Sequence, residues 1–357
     1  PMTTTMNQAT NEFLPPSLTE LALPAEFALP AFEGKSILNV PSSICELFNL
    51  PLIHSNPLRD EILSPVKGDI KRVIVVLIDA LAMHRFSNWL QEGDLPVWKE
   101  LLKSGTLNTL TSITPSTTCA ALTTLWTGHS TAEHGVGGYE LWLKQYGLVA
   151  NMITQSPMSY RNGGASLDKA GFNPETVLAI PKLGSHLVTH GVAVNAFQHY
   201  TLANSGLSRT FMDDVNVFPF GTEAECWVNL REQIEKRKHD KLYFWAYWGA
   251  YDHLAHVYGP DDERARLFFM NFNHSLEQDF LMRLSPELRK GTLLVLTADH
   301  GQIRIDPDPV FDLVNHPEFL NCLHIKPTGE GRLTYLHLKP GKEETLREYV
   351  DAAWPDQ

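Results

Sequence analysis

Several features that mark other classes of protein are scarce in this sequence of 357 residues. It has four cysteines, which lie far apart and form no CxxC pair: Cys45, Cys119, Cys226 and Cys322. This usage excludes a disulfide-dense scaffold and favours reduced, buried thiols in a reducing compartment.

Long hydrophobic runs are also missing. No apolar stretch approaches the roughly 18 residues that a membrane-spanning helix needs. The N-terminal region has no basic segment before an apolar one, because its first basic residue is Lys35. We therefore expect a soluble, cytoplasmic protein that has no membrane partner.

Positive charge is in deficit: 29 basic residues face 41 acidic ones, which gives a formal net charge of −12. Stable binding of nucleic acid through its phosphates needs a basic surface, so we expect none. The composition still permits a small phosphorylated ligand held by metal ions, since carboxylates and 15 histidines are available as ligands.

The chain divides into an N-terminal part and one larger domain. Residues 1–35 are rich in proline and isolated apolar residues, which predicts an extended arm over the domain or over a neighbouring subunit of a homo-oligomer. We take 1–70 as this arm with a leading segment, and 71–357 as the main domain.

The main domain shows alternating strand and helix patterns. The run "KRVIVVLID" (71–79) is typical of a strand buried on both faces of a parallel sheet. Further strands are predicted at 190–198, 241–252 and 291–301, and helices at 81–104, 222–239 and 261–284. The alternation predicts an α/β fold with a mainly parallel central sheet flanked by helices.

Ionisable residues follow three of these strands. They are Asp79, the pair Asp252 and His256 at a spacing that puts both on one helical face, and the pair Asp299 and His300. Each alone could simply cap a helix or lie on a surface. Together, at the carboxyl edge of one sheet, the carboxylates would repel one another unless cations lay between them. The mixture of oxygen and nitrogen ligands suits zinc or a similar transition metal.

The segment "TPSTTCAALTTLWTG" (114–128) predicts a helix that begins among hydroxyls and ends at a glycine. Ser116 or Thr117 would cap it. The free N–H groups of its first turn would favour an anionic phosphate and an ionised hydroxyl.

In collinear order, "VVLIDAL", "TPSTT…TGHSTAEHGVGG", "AYDHLAHVYGP" and "LTADHG" resemble the type I phosphodiesterase/nucleotide pyrophosphatase branch of the alkaline phosphatase superfamily, over about 73–301. The resemblance implies an alkaline-phosphatase-like three-layer sandwich, with 71–357 as its catalytic domain. It also implies two divalent metal ions, Zn²⁺ first and Mn²⁺ or Fe as alternatives, on either side of a threonine nucleophile.

The resemblance assigns Asp79, Asp299 and His300 to one metal and Asp252 and His256 to the other. A later histidine completes the second site in the family. His316 is the first choice here, and His324 and His337 remain open.

The spacing of the family motif selects Thr118 as nucleophile and metal contact, because Pro115 lies three residues before it and the Thr-Gly pair follows at the family distance. Two substrate contacts are expected. Tyr139 stands where many members have an asparagine that holds a phosphate oxygen, although it could equally be a packed aromatic. Tyr251 could stack on a nucleobase or belong to the core.

The expected function is metal-dependent hydrolysis of a phosphodiester or pyrophosphate bond in a nucleotide, dinucleotide or similar small substrate, through a covalent threonine intermediate. A phosphonoacetate-type C–P hydrolase is the alternative with the same ligands. A non-catalytic module that binds metal and nucleotide is the alternative from another class.

Overall fold

The computed structural model describes residues 28–159 and 166–355. Most of the arm predicted at 1–35 lies outside these described residues. The strands are β1 Arg72–Ile78, β2 Glu140–Leu143, β3 Leu148–Asn151, β4 Ser156–Pro157, β5 Val192–His199, β6 Asn216–Phe220, β7 Lys241–Trp248, β8 Thr292–Thr297, β9 Thr328–Gly329 and β10 Thr334–Tyr335.

The helices alternate with these strands along most of the chain. They are α1 Val40–Leu47, α2 Asp60–Leu63, α3 Met83–Glu92, α4 Pro96–Leu101, α5 Thr118–Thr127, α6 Thr131–His134, α7 Pro174–Val177, α8 Leu183–Thr189, α9 Gly206–Phe211, α10 Glu223–Lys236, α11 Ala250–Tyr258, α12 Glu263–Ser275, α13 Pro286–Arg289, α14 Pro317–Cys322 and α15 Glu343–Ala353.

The central sheet has five parallel strands in the order β6-β5-β7-β1-β8. Side chains of β1 alternate between its two faces. Val73 and Val75 join the core formed with α1, α5, α8 and α9, whereas Ile74 and Val76 join the core formed with α3, α4, α10 and α12. Each such side chain contributes about 1.5–3 kcal/mol by burial, which fixes the register of the strand. The predicted three-layer α/β sandwich is confirmed.

Two helix predictions need correction. The helix expected at 81–104 is interrupted, because Gly93 ends α3 in a left-handed conformation (φ 91°) and Pro96 begins α4. The helix expected at 261–284 continues beyond α12 as a π-helical turn, Leu276–Phe280, and a 3₁₀ turn, Leu281–Arg283. The helix at 222–239 is present as α10.

A second, antiparallel sheet was not predicted. Its strand order is β10-β9-β2-β3-β4. Its strands have two to four residues, too few for a two-residue alternation to stand out in the sequence. It brings the segment after α6 beside a hairpin close to the C-terminus.

The leading segment is part of the main core rather than a separate layer, since Ile44, Leu47 and Phe48 are buried in it. The four cysteines are free and buried, as the sequence predicts. Within the described residues, no helix combines the length and the apolar character required to span a bilayer.

Candidate active site

Three acidic residues lie at the carboxyl edge of the central sheet. Asp79 directly follows β1, Asp299 follows β8, and Asp252 lies in the first turn of α11 behind β7. The three strands end at the same level, because Ile78 of β1 pairs with Trp248 of β7 and the preceding residue of β1 pairs with the end of β8. The structure therefore brings the three predicted carboxylates to one edge.

One oxygen of each of the two most buried carboxylates is held by hydrogen bonds. The Tyr247 hydroxyl donates to Asp79 Oδ2. Asp299 Oδ1 accepts from the backbone N–H of Ala80 at 3.2 Å and of His300 at 2.9 Å. Ala80 adopts a left-handed conformation (φ 62°) that aims its N–H in this direction. Both carboxylates are thus fixed before any ligand binds.

The other oxygens of these groups lack hydrogen-bond partners. Asp79 Oδ1, Asp299 Oδ2 and Asp252 Oδ1 are buried and accept no hydrogen bond within the described residues. His300 Nε2 lies 3.3 Å from Asp79 Oδ1 and 3.6 Å from Asp299 Oδ2, in contacts that lack hydrogen-bond geometry. Burial of several acceptors without donors is costly unless a cation supplies the missing interaction.

The electrostatics agree with this geometry. Burial, and then the charges of Asp299 and Asp252, raise the pKa of Asp79 well above its ordinary value. Burial also raises the pKa of Asp252. Burial alone would lower the pKa of His300, but Asp299, the Gly301 carbonyl and further carboxylates raise it above its ordinary value.

The ligand atoms fit a divalent cation. Asp79, Asp252 and His300 each offer one atom, and these atoms lie within 4.8 Å of one another. His256 Nε2 lies 3.4 Å from Asp252 Oδ1, on the more exposed side of the cluster. Carboxylate oxygens together with imidazole nitrogens are the ligand set expected for zinc or a similar transition metal.

Thr118 is the first residue of α5 and faces this cluster. Its Oγ1 lies 3.2 Å from His300 Nε2 and 3.5 Å from Asp79 Oδ2. Thr117 is the N-cap residue, but its side chain makes no capping hydrogen bond. The N–H groups of the first turn of α5 have no acceptor within the helix, which favours an anion beside Thr118.

His134, in the "AEHG" motif, positions the backbone rather than binding a ligand. Its Nδ1 accepts a hydrogen bond from the N–H of Val136 at 3.0 Å, so Nε2 carries the proton and donates to Thr124 Oγ1 at 3.2 Å. Burial lowers the pKa of His134 to about 4, so the ring is neutral at pH 7. It ties α5 to the segment that leads to Tyr139.

The second sheet forms the opposite side of the site. Thr118 and Asp252 line a cavity of about 2030 Å³ together with Tyr139, Glu330 and Arg332. The backbone N–H of Tyr139 donates to Glu330 Oε1 at 2.5 Å. The Tyr139 hydroxyl oxygen accepts a hydrogen bond from the side-chain amide of Asn151 in β3 at 2.5 Å. The hydroxyl proton of Tyr139 is therefore available to a ligand.

Of the predicted site residues, Tyr251 and His316 do not line the cavity. Tyr251 is fully buried and packs edge-to-face on Trp89 with ring centroids 6.5 Å apart, because it faces the helical layer rather than the sheet edge. The stacking expected of it is therefore corrected to a core role.

His316 lies in a small C-terminal cluster between α14 and α15. Its Nδ1 contacts the hydroxyl of Tyr349 at 2.8 Å, and its Nε2 contacts the carbonyl of Val310 at 2.7 Å. Both ring nitrogens are thus engaged, and its assignment as a metal ligand stays a prediction. His337 Nε2 contacts Thr328 at 3.0 Å, in the second sheet.

Sequence reasoning missed three residues near the site: Tyr247, Glu330 and Arg332. Tyr247 lies on the same face of β7 as the core residues Tyr243 and Trp245, so the local sequence does not distinguish it from a core aromatic. The charged turn "GEGR" (329–332) between glycines was the signal for the other two, but no sequence pattern connects it with the carboxyl edge of the sheet.

Comparisons with known proteins bear on the family and on the fold. The sequence model of the type I phosphodiesterase/nucleotide pyrophosphatase family matches residues 73–354. Murine ectonucleotide pyrophosphatase/phosphodiesterase 5, as an inactive variant in complex with AMP, is 17% identical with a TM-score of 0.56, and the match covers 80% of this chain and 71% of that one. A second structure of the same murine protein is also 17% identical, with a TM-score of 0.55, and the match covers 79% of this chain and 70% of that one.

Phosphonoacetate hydrolase from Sinorhizobium meliloti, in complex with phosphonoformate, is 16% identical with a TM-score of 0.45, and the match covers 65% of this chain and 56% of that one. The chain therefore spans little more than half the length of that hydrolase. At these identities the murine structures show a shared fold alone. No curated protein matches the chain.

Proposed function

Because the chain belongs to the type I phosphodiesterase/nucleotide pyrophosphatase family, we propose that it hydrolyses a phosphodiester or pyrophosphate bond in a small nucleotide-like substrate. One observation carries the proposal. Three carboxylates, each with a buried oxygen that lacks a hydrogen-bond partner, lie at one edge of the sheet, and one of them, Asp79, lies 3.5 Å from the hydroxyl of Thr118, which lines a wide cavity.

The residues present suit two divalent ions, with zinc as the first candidate. Asp79, Asp299 and His300 would hold one ion, and Asp252 and His256 would hold the other. When bound, the ions would neutralise the carboxylates, lower the pKa of a coordinated hydroxyl and stabilise the charge that develops on phosphorus.

Thr118 carries the covalent step. Its Oγ forms a bond to phosphorus as the bond from phosphorus to the leaving oxygen breaks, which gives a phosphoryl- or nucleotidyl-threonine. Water then attacks the same phosphorus and releases Thr118. The free N–H groups at the start of α5 hold a phosphorus-bound oxygen, and the Tyr139 hydroxyl donates to another. Asp79, fixed by Tyr247, keeps the Thr118 hydroxyl oriented.

The cytoplasm is the proposed compartment, supported by the four free, buried thiols.

Replacing the hydroxyl tests the proposal. We expect purified protein to contain about two equivalents of metal and to hydrolyse bis-p-nitrophenyl phosphate faster than p-nitrophenyl phosphate. Thr118→Ala should lower kcat by about 10³-fold or more while metal remains bound. Thr117→Ala is the matched control, because the neighbouring hydroxyl makes no capping bond and its loss should change kcat less than about threefold.

The same assays separate the alternatives. Unchanged activity of Thr118→Ala would refute the nucleophile. Phosphate release from phosphonoacetate without diesterase activity would favour C–P hydrolysis, and metal binding without any turnover would favour a binding module.

A further inference from the structure

The cavity is lined by three lysine or arginine side chains, and two of them already have acidic partners. Lys35 Nζ lies 2.8 Å from Glu61 Oε1, and Arg304 Nε lies 3.0 Å from Asp306 Oδ1. Arg332 is exposed to the cavity and has neither an ion pair nor a side-chain hydrogen bond to any residue that the structure describes. Its guanidinium group is available to a ligand.

Side chains on either side of Arg332 connect its hairpin to the rest of the cavity wall. Arg332 lies in the turn between β9 and β10, and Glu330 in this turn accepts a hydrogen bond from the N–H of Tyr139. At the other end of the hairpin, the Tyr335 hydroxyl donates to the Gly137 carbonyl at 2.9 Å. Two hydrogen bonds thus connect the hairpin to the segment between α6 and β2, which forms part of the cavity wall.

The charges that line the cavity indicate which part of a substrate Arg332 would bind. The groups beside Thr118 are acidic and would be neutralised by metal ions. A substrate with one anionic group, at the reacting phosphorus, needs no further cation. The cavity lining also carries the carboxylates of Glu330, Asp252 and Asp306, which would repel a second phosphate in the substrate chain. A planar guanidinium binds a phosphate through two parallel hydrogen bonds.

On the basis of the proposed function, we infer that Arg332 binds a second phosphate group of the substrate and so favours nucleotides with a pyrophosphate or longer phosphate chain over simple diesters. Arg332 acts as a specificity residue: it contacts the part of the substrate away from Thr118 and takes no part in bond cleavage.

Two probes test this role, ATP for a phosphate chain and bis-p-nitrophenyl phosphate for a single anionic group. With Arg332→Ala, kcat/KM for ATP should fall by about tenfold or more, chiefly through KM, because a hydrogen-bonded charge contact is lost. The kcat/KM of the same variant for bis-p-nitrophenyl phosphate should change less than about twofold. Arg332→Lys should retain part of the preference. Arg304→Ala, which removes a paired cation from the same cavity, should leave the ratio of the two substrates unchanged.

A binding measurement separates this inference from the proposed function. In metal-loaded protein with Thr118 intact, calorimetry should show inorganic pyrophosphate binding about tenfold more weakly to Arg332→Ala than to wild type, with orthophosphate little affected. If pyrophosphate affinity is unchanged, or if the variant loses both substrates equally, the role of Arg332 is wrong even where hydrolysis is intact. If wild type hydrolyses neither substrate, the proposed function fails, and the pyrophosphate measurement still decides the role of Arg332.

Discussion

At the scale of single residues, the site depends on which oxygen of each carboxylate is already occupied. Burial and the neighbouring carboxylates raise the pKa of Tyr247 well above its ordinary value. Its hydroxyl therefore remains a hydrogen-bond donor near neutral pH, and it donates to Asp79 Oδ2. This leaves Asp79 Oδ1 directed towards His300, where a metal would bind. The protonated phenol thus orients a carboxylate without competing for the cation.

A residue-scale prediction concerns the last metal ligand. In His316→Ala we expect the free energy of unfolding to fall by about 1–3 kcal/mol, because two hydrogen-bond contacts and ring packing are lost. If His316 is the last ligand of the second site, as the sequence predicts, the metal content should also fall by about one equivalent. Urea denaturation and elemental analysis measure the two quantities.

His324→Ala and His337→Ala serve as matched comparisons for that experiment. Loss of one metal equivalent in any one of the three variants, with the other two unchanged, would assign that histidine to the second site.

At the scale of elements, the two sheets contribute different residues to the cavity. The parallel sheet places the candidate metal-binding carboxylates at or just beyond the ends of its strands. The antiparallel sheet places Tyr139 and the β9–β10 turn over the same cavity, through the pairing of Glu140 with Gly329. Close packing of glycine backbones makes this approach possible, since a Cβ at Gly138 would lie 3.0 Å from Gly329 Cα.

Gly138→Ala tests that contact. The added Cβ would meet the backbone of Gly329, so the hairpin must move away, and the discrimination between ATP and bis-p-nitrophenyl phosphate should fall by about threefold or more. Steady-state kinetics with both substrates measures it. Gly331→Ala is the control in the same hairpin, because a Cβ there meets open space. Equal effects of the two substitutions would show that the approach of the two segments does not set specificity.

At the scale of the whole molecule, the candidate metal site predicts that cation binding and folding stability are coupled. In the metal-free chain the pKa values of Asp79 and Asp252 are raised, so the native state binds more protons than the unfolded state does. The stability of the metal-free protein must then fall as pH rises above the ordinary carboxyl pKa. Bound cations would remove this penalty.

Metal removal should therefore destabilise the protein in a pH-dependent way. We expect EDTA to lower Tm substantially at pH 8. If the free metal concentration was a thousandfold above Kd, the free energy of unfolding should fall by about 4 kcal/mol. The difference should narrow at pH 5.5, where the carboxylates take up protons and the metal binds more weakly. Thermal melts with and without EDTA, followed by addition of zinc, measure it. An unchanged Tm at both pH values after demonstrated metal loss would contradict the coupling.

Sequence patterns were sufficient for the α/β layering, for the strand β1 and for the placing of Asp79, Asp252 and Asp299 at or just beyond the ends of buried strands. They worked because the apolar runs and their terminal polar residues lie within single local windows, where the period of side-chain burial is visible. The splitting of the helix at 81–104 could have been anticipated from Gly93 and Pro96, since both are local signals.

The tertiary structure decided what lies on the other side of the cavity. Tyr139 and Glu330 are 191 residues apart and meet only because the short strands of the second sheet pair. Tyr251 is turned into the core, although it is adjacent to Asp252. His316 Nδ1 likewise meets the hydroxyl of Tyr349, 33 residues away, only because α14 packs on α15. Local periodicity determines the face on which a residue lies, whereas the packing of remote segments determines which groups are left without a partner and are therefore free to bind a substrate.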